Sequence, residues 1–130
     1  MSQDRIELVQ GQTGIELPLA AGNWVMLREE GYSPVQSLVA AVGACGAYVY
    51  QSVLEKSRIP FTFERATADY SRDAEKATEP VKSISLTFYV SVAPELQERA
   101  ERALKLVSKN CPVIQSLNPE IEVVEHVVFQ

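Results

Sequence analysis

Apolar residues along this chain recur every second position in some stretches and every third or fourth in others, and the switches between these periods predict the elements. Residues 5–9 lead into a Gly11-Gln12-Thr13-Gly14 turn, residues 15–19 alternate from Ile15 to Leu19, and residues 24–28 are apolar on both faces until Arg28. Three short strands in a meander are expected. Glu29-Glu30-Gly31-Tyr32 then breaks the pattern. Ser33-Pro34 has the form of a helix start, with Ser33 as N-cap and Pro34 at the first helical position. The helix is expected to run to about Lys56, with Leu38, Val42, Cys45, Val49 and Val53 on one stripe. Nothing between Val39 and Tyr50 is charged, so this helix is expected to be surrounded on all sides. Gly43, Ala44, Gly46 and Ala47 flank Cys45. Each interior glycine costs about 1 kcal/mol of helix propensity against alanine, and close approach of another helix or strand is the expected compensation.

Residues 61–70 form the next strand candidate, followed by a charged connection over 71–80. Residues 81–92 give the cleanest strand pattern, with Ile84, Leu86, Phe88, Val90 and Val92 on one face and Ser83, Ser85, Thr87, Tyr89 and Ser91 on the other. Such a sheet has one face on a core and one toward solvent or a polar interface. Pro94 opens a helix ending near Asn110. Leu96, Ala100, Ala103, Leu104 and Val107 are its apolar stripe, and Glu98, Arg99, Glu101, Arg102 and Lys105 its wet side. Cys111-Pro112 starts a short helical piece to Leu117, and residues 121–129 form the last strand. The order β-β-β-α-β-β-α-α-β predicts an α+β fold, a mainly antiparallel sheet with a buried central helix. At this length a single domain over 1–130 is expected.

Composition narrows the function. With 46% hydrophobic and 22% charged residues the chain is ordinary globular material. Twelve basic against 17 acidic side chains leave a net charge of −5, which disfavours nucleic acid and anionic membrane as partners. The one histidine, His126, rules out a poly-histidine metal centre, and the two cysteines lack zinc-site spacing, so no metal is expected. His126 alternates with valines and has the setting of a structural residue. No phosphate-cradling glycine-rich loop suggests a nucleotide cofactor, and no cofactor is expected. No signal-peptide pattern is visible, and the apolar run over 38–50 is too short for a membrane span of about 18 residues or more. A cytoplasmic setting, with reduced thiols, is the expectation.

The candidate chemistry then rests on Cys45 and Cys111. Cys45 lies about three turns into the helix, beyond the reach of its dipole, in apolar surroundings that push a thiol pKa up. Cys111 would be an N-cap, where free N–H groups favour a thiolate and lower the pKa. Taken singly, either can be a small buried hydrophobe, the common fate of a free cysteine.

Together they carry a resemblance. Ser33-Pro34, nine residues rich in Leu, Ala and Gly, then Ala44-Cys45 resembles the first cysteine motif of the OsmC/Ohr family, in which a proline stands eleven positions before the helix cysteine. Asn110-Cys111-Pro112-Val113, after an amphipathic helix, is similar to the second cysteine motif. The likeness extends over essentially the whole chain. It implies an OsmC-like fold in an intertwined homodimer, and a thiol-dependent peroxidase that reduces organic hydroperoxides, with Cys45 attacking, Cys111 resolving and an external dithiol as reductant.

Two features of the family pattern differ. Val35 stands where the organic-hydroperoxide members carry Glu, and residues 11–27 contain no arginine to pair with the thiolate, Arg28 being the nearest. Arg58, Arg65 and Arg72 are further cations whose approach spacing cannot show. The alternative implied by these differences is a non-catalytic OsmC-like dimer that binds a small molecule or a partner.

Overall fold

A computed structural model describes residues 4–130 and contains two compact units, Met1–Leu38 and Val39–Gln130. In the first, strands β1 (Val9–Gln10), β2 (Ile15–Leu17) and β3 (Trp24–Val25) form an antiparallel meander. Its first turn is closed by the Gly11 N–H on the Gly14 carbonyl at 2.9 Å. The strands are shorter than the alternation suggests. The charged stretch expected to be a break is instead a one-turn helix, α1 (Arg28–Gly31). It is held by the Gly31 N–H on the Leu27 carbonyl at 2.8 Å and by the Trp24 indole N–H on the Gly31 carbonyl. A side chain at Gly31 would run into the Val25 carbonyl and the Trp24 ring, so this turn requires glycine.

Helix α2 (Pro34–Lys56) has the predicted limits. Its start is a reciprocal capping box: the Gln36 N–H donates to Ser33 Oγ at 3.1 Å, and the Ser33 N–H donates to Gln36 Oε1 at 2.9 Å. The buried face is rotated from the expected stripe. Val39, Val42, Gly43, Gly46, Tyr50, Val53 and Leu54 are buried, whereas Cys45 and Val49 are half-buried and Leu38 is exposed. An all-apolar helix offers no polar face to fix its rotation, so packing decides it. The single chain does not surround α2 either: Ala41, Ala44 and Tyr48 remain exposed, Tyr48 at 74%.

In the second unit, β4 (Thr62–Arg72) pairs antiparallel with β5 (Val81–Ser91), and β5 pairs parallel with β6 (Glu122–Phe129). Three of the four strand pairings are thus antiparallel and one is not. The parallel pair arises because the helical segment between β5 and β6 carries the chain back to the starting end of the sheet. A register shift between Phe63 and Arg65 marks a bulge at Glu64, whose carboxylate accepts Ser91 Oγ at 3.0 Å. The alternation of β5 is as expected: Ile84, Leu86, Phe88, Val90 and Val92 are buried and the polar set is half-exposed.

The crossover is a series of short pieces: a 3₁₀ turn (Pro94–Leu96), α3 (Gln97–Arg102), a second 3₁₀ turn (Ala103–Leu106), α4 (Val107–Asn110) and α5 (Pro112–Gln115). Ala100, Ala103 and Val107 are its buried stripe. The core lies where α2, β5 and this segment meet. Phe88 stacks on Tyr50 with centroids 5.1 Å apart, and the Tyr50 hydroxyl donates to the Ala100 carbonyl at 2.7 Å. Burial pushes the Tyr50 phenol up, with Glu101 adding to the shift, so the hydroxyl stays a donor.

Candidate functional site

Gly46 sets the depth of α2. A Cβ there would lie 2.8 Å from Leu86 Cδ1 and 3.4 Å from Phe88 Cζ, so the helix backbone rests directly on β5. Cys45, one residue earlier, is thereby held at the margin of the core, half-buried. Cys111 comes to the same place from the other side. The chain leaves α4 and turns through Cys111, with φ −96° and ψ 109°, into the proline-led turn of α5. Its thiol is completely buried, and both thiols are free.

The two side chains, 66 positions apart in the sequence, are neighbours, close enough for Cys45 to act on the Cys111 thiol. The Cys111 thiol titrates above the ordinary thiol range. Burial is the largest cause, and the neighbouring Cys45 adds to it; the N–H groups of Ile114 and Val113 pull the other way. The expectation that an N-cap position would lower this pKa is therefore overturned. Helix α5 is only one turn long and its amides make no full capping hydrogen bond to the sulfur, so desolvation wins.

The structure also places the other singled-out residues. Arg65 lies at 3.8 Å over the Tyr89 ring, on the sheet face opposite Phe88, away from α2. Arg72 Nε donates to the Glu79 carbonyl at 2.7 Å in the charged hairpin. Arg58 is exposed, in a left-handed turn (φ 57°) just past α2. Arg28 is exposed in α1, and Val35 lies in the first turn of α2. His126 is exposed on β6, in register with Thr87 on the outer face of the sheet. Among the described residues, no group of three or more His, Cys, Asp or Glu side chains is gathered as a metal site would need.

One polar contact beside the cysteines was not anticipated. On β6, Val123, Glu125 and Val127 pair with Ile84, Leu86 and Phe88, so Glu125 occupies a core-facing position. Its carboxylate accepts Ser108 Oγ at 2.8 Å. Burial raises the Glu125 carboxyl above the usual carboxylate range, against lowering by Ser108 and by His126. The Ser108 carbonyl in turn accepts the Cys111 N–H at 3.4 Å and Gln115 Nε2 at 3.0 Å. The available signal was a charge at the core-facing phase of an alternating strand.

A family model described as OsmC-like protein matches residues 27–126. No curated protein matches the chain. Among solved structures, a hypothetical protein from Aquifex aeolicus VF5 is similar with a TM-score of 0.78 at 18% identity, covering 100% of this chain and 99% of that one. An OsmC-like protein from Mycoplasma pneumoniae has a TM-score of 0.77 at 15% identity, covering 98% and 97%. The organic hydroperoxide resistance protein OhrB of Bacillus subtilis has a TM-score of 0.62 at 15% identity, covering 96% and 98%. At these identities the structures speak for a shared fold; with the family model spanning most of the sequence, the chain belongs to the OsmC-like protein family.

Proposed function

We propose that this protein is a thiol-dependent peroxidase acting on organic hydroperoxides, with Cys45 as the attacking and Cys111 as the resolving cysteine. The observation that carries the proposal is the adjacency of two free cysteines that differ in exposure. Cys45 is half-buried and open to a small substrate, whereas Cys111 is completely buried and its thiol is pushed toward the protonated form. In the first step the Cys45 thiolate attacks the distal peroxide oxygen. The O–O bond breaks, the substrate leaves as an alcohol after protonation, and Cys45 becomes a sulfenic acid. In the second step the Cys111 sulfur attacks the sulfenic sulfur; the S–S bond forms, the S–O bond breaks and water leaves. An external dithiol then reduces the disulfide. No cofactor or metal is required by this cycle.

The same reading makes the protein a cytoplasmic homodimer of single OsmC-like domains serving oxidative-stress defence. Tyr48 and Ala44, exposed on an apolar helix, support the dimer, since such a face is normally covered. The helical stretch Arg28–Lys56 is long and apolar enough to cross a membrane; the packing of Gly46 on Leu86 and Phe88 supports its role as a core helix instead.

The test uses the reduced protein and tert-butyl hydroperoxide. Cys45→Ser is expected to abolish peroxide consumption. Cys111→Ser is expected to consume one equivalent and stop at a Cys45 sulfenic acid that dimedone traps. Equal peroxide consumption by Cys45→Ser and wild type would overturn the assignment.

A non-catalytic binding dimer is the second reading. Val35 at the position of the family's Glu favours it, as does the engagement of Arg65 and Arg72 elsewhere. It requires that Cys45→Ser leave cellular peroxide tolerance unchanged, and a loss of tolerance would reject it.

A further inference from the structure

Strand β6 alternates between half-buried and exposed positions, and its core-facing set reads Val123, Glu125, Val127, Phe129. An acidic side chain in that set is costly, because it faces Leu86, which is fully buried. Nothing in the fold of β6 needs a carboxylate there; a valine would continue the pattern. The group has one side-chain hydrogen-bond partner, Ser108 Oγ at 2.8 Å, and that residue lies three positions before Cys111. Ser108 is the joint of the local structure. Its hydroxyl is tied to β6, while its carbonyl holds both the Cys111 N–H and the Gln115 side-chain amide. The turn that carries Cys111 is thus tied to the sheet by a side-chain hydrogen bond, and the other end of that tie is Glu125.

The chemistry asks for such an anchor. Disulfide formation needs the Cys111 sulfur within bonding reach of Cys45, with Cα atoms about 7 Å apart or less. Helix α5 is one turn long and α4 is four residues, so neither is rigid alone. We propose that Glu125 is a positioning residue for the resolving step: through Ser108 it holds the Cys111 turn where its sulfur can condense with the sulfenic acid of Cys45. The inference rests on the redox pairing of Cys45 and Cys111 proposed above. The step it governs joins Cys45–SOH and Cys111–SH into a disulfide and water, with the organic hydroperoxide as the oxidant of the preceding step. Glu125 touches neither substrate nor sulfur; it acts by fixing geometry, and an oxygen acceptor, not a charge, is what the position needs.

Two measurements on the full-length protein test it. In the first, Glu125→Ala, Ser108→Ala, Glu125→Gln and wild type are equilibrated with glutathione redox buffers, and the Cys45–Cys111 disulfide fraction is read by intact mass. This reports how well the two sulfurs are presented to each other and needs no peroxidase activity. Loss of one buried hydrogen bond should lower the disulfide equilibrium constant about tenfold in Glu125→Ala and in Ser108→Ala. The double variant should be no worse than either single one. Glu125→Gln, which keeps an oxygen to accept Ser108 Oγ, should stay near wild type. In the second, one equivalent of cumene hydroperoxide is added and the sulfenic acid is trapped with dimedone over time. Loss of the Cys45 thiol should be as fast in Glu125→Ala as in wild type, while the trapped adduct persists longer. Wild-type equilibria in Glu125→Ala, or no rescue by Glu125→Gln, overturn the proposal. Inertness of the wild-type thiols to peroxide would instead reject the peroxidase reading, and the glutathione equilibria would still decide whether Glu125 positions Cys111.

Discussion

A carboxyl group raised above its ordinary range by burial, as Glu125 is, holds its proton more tightly in the folded chain than in the unfolded one. Between the unfolded and the folded pKa, the native state therefore binds more protons than the unfolded state, and stability falls as pH rises through that interval. The Glu125 contribution is fully present below its ordinary value of 4.5 and is lost as pH climbs toward neutrality. Glu125→Gln has no proton to lose. Thermal unfolding of the two proteins from pH 4.5 to neutrality should show wild type losing ground relative to Glu125→Gln as pH rises; parallel curves would contradict the burial of this carboxyl. The same physics corrects the expectation for Cys111. The N–H groups of Ile114 and Val113 do favour the Cys111 thiolate, but burial of the sulfur outweighs them.

Gly43 and Gly46 are three positions apart on α2 but meet the sheet differently. A Cβ at Gly43 would lie 3.5 Å from Ala68 Cβ and 3.8 Å from Leu86 Cδ2, ordinary contact distances. A Cβ at Gly46 would press on Leu86 and Phe88, both fully buried and without room to retreat. Gly43→Ala should stabilise by up to about 1 kcal/mol through helix propensity. Gly46→Ala should destabilise by about 1–3 kcal/mol through overpacking. Chemical denaturation of both variants checks the contrast, and a stabilised Gly46→Ala would mean that α2 does not rest on β5 as described. The small residues around Cys45 were legible as a sign of close approach, but not which element approaches. Other elements were legible to the same depth. Ser33 and Pro34 mark the start of α2 because capping is local chemistry. The face of α2 was not legible, because a helix apolar all round carries no phase. The last strand was legible over 121–129, but neither its core-facing side, since valines stand at both phases, nor that it runs parallel to β5. Helix α1 was missed because it rests on the Trp24–Gly31 contact, which no local pattern of charges announces.

At the scale of the molecule, the α+β class and the order of elements could be read from periodicity, and the family from its two cysteine motifs. The meeting of the sulfurs could not be read from spacing, for 65 residues of intervening chain must fold before Cys45 and Cys111 are neighbours. Nor could the tie between Glu125 and Ser108, which joins a strand to a crossover helix. The proposed peroxidase chemistry stands on that meeting. Its most direct test is the intact mass and free-thiol count of the reduced wild-type protein after excess cumene hydroperoxide. Loss of both thiols with a fall of about 2 Da and no disulfide-linked dimer is the predicted result. Survival of both thiols at unchanged mass would contradict it.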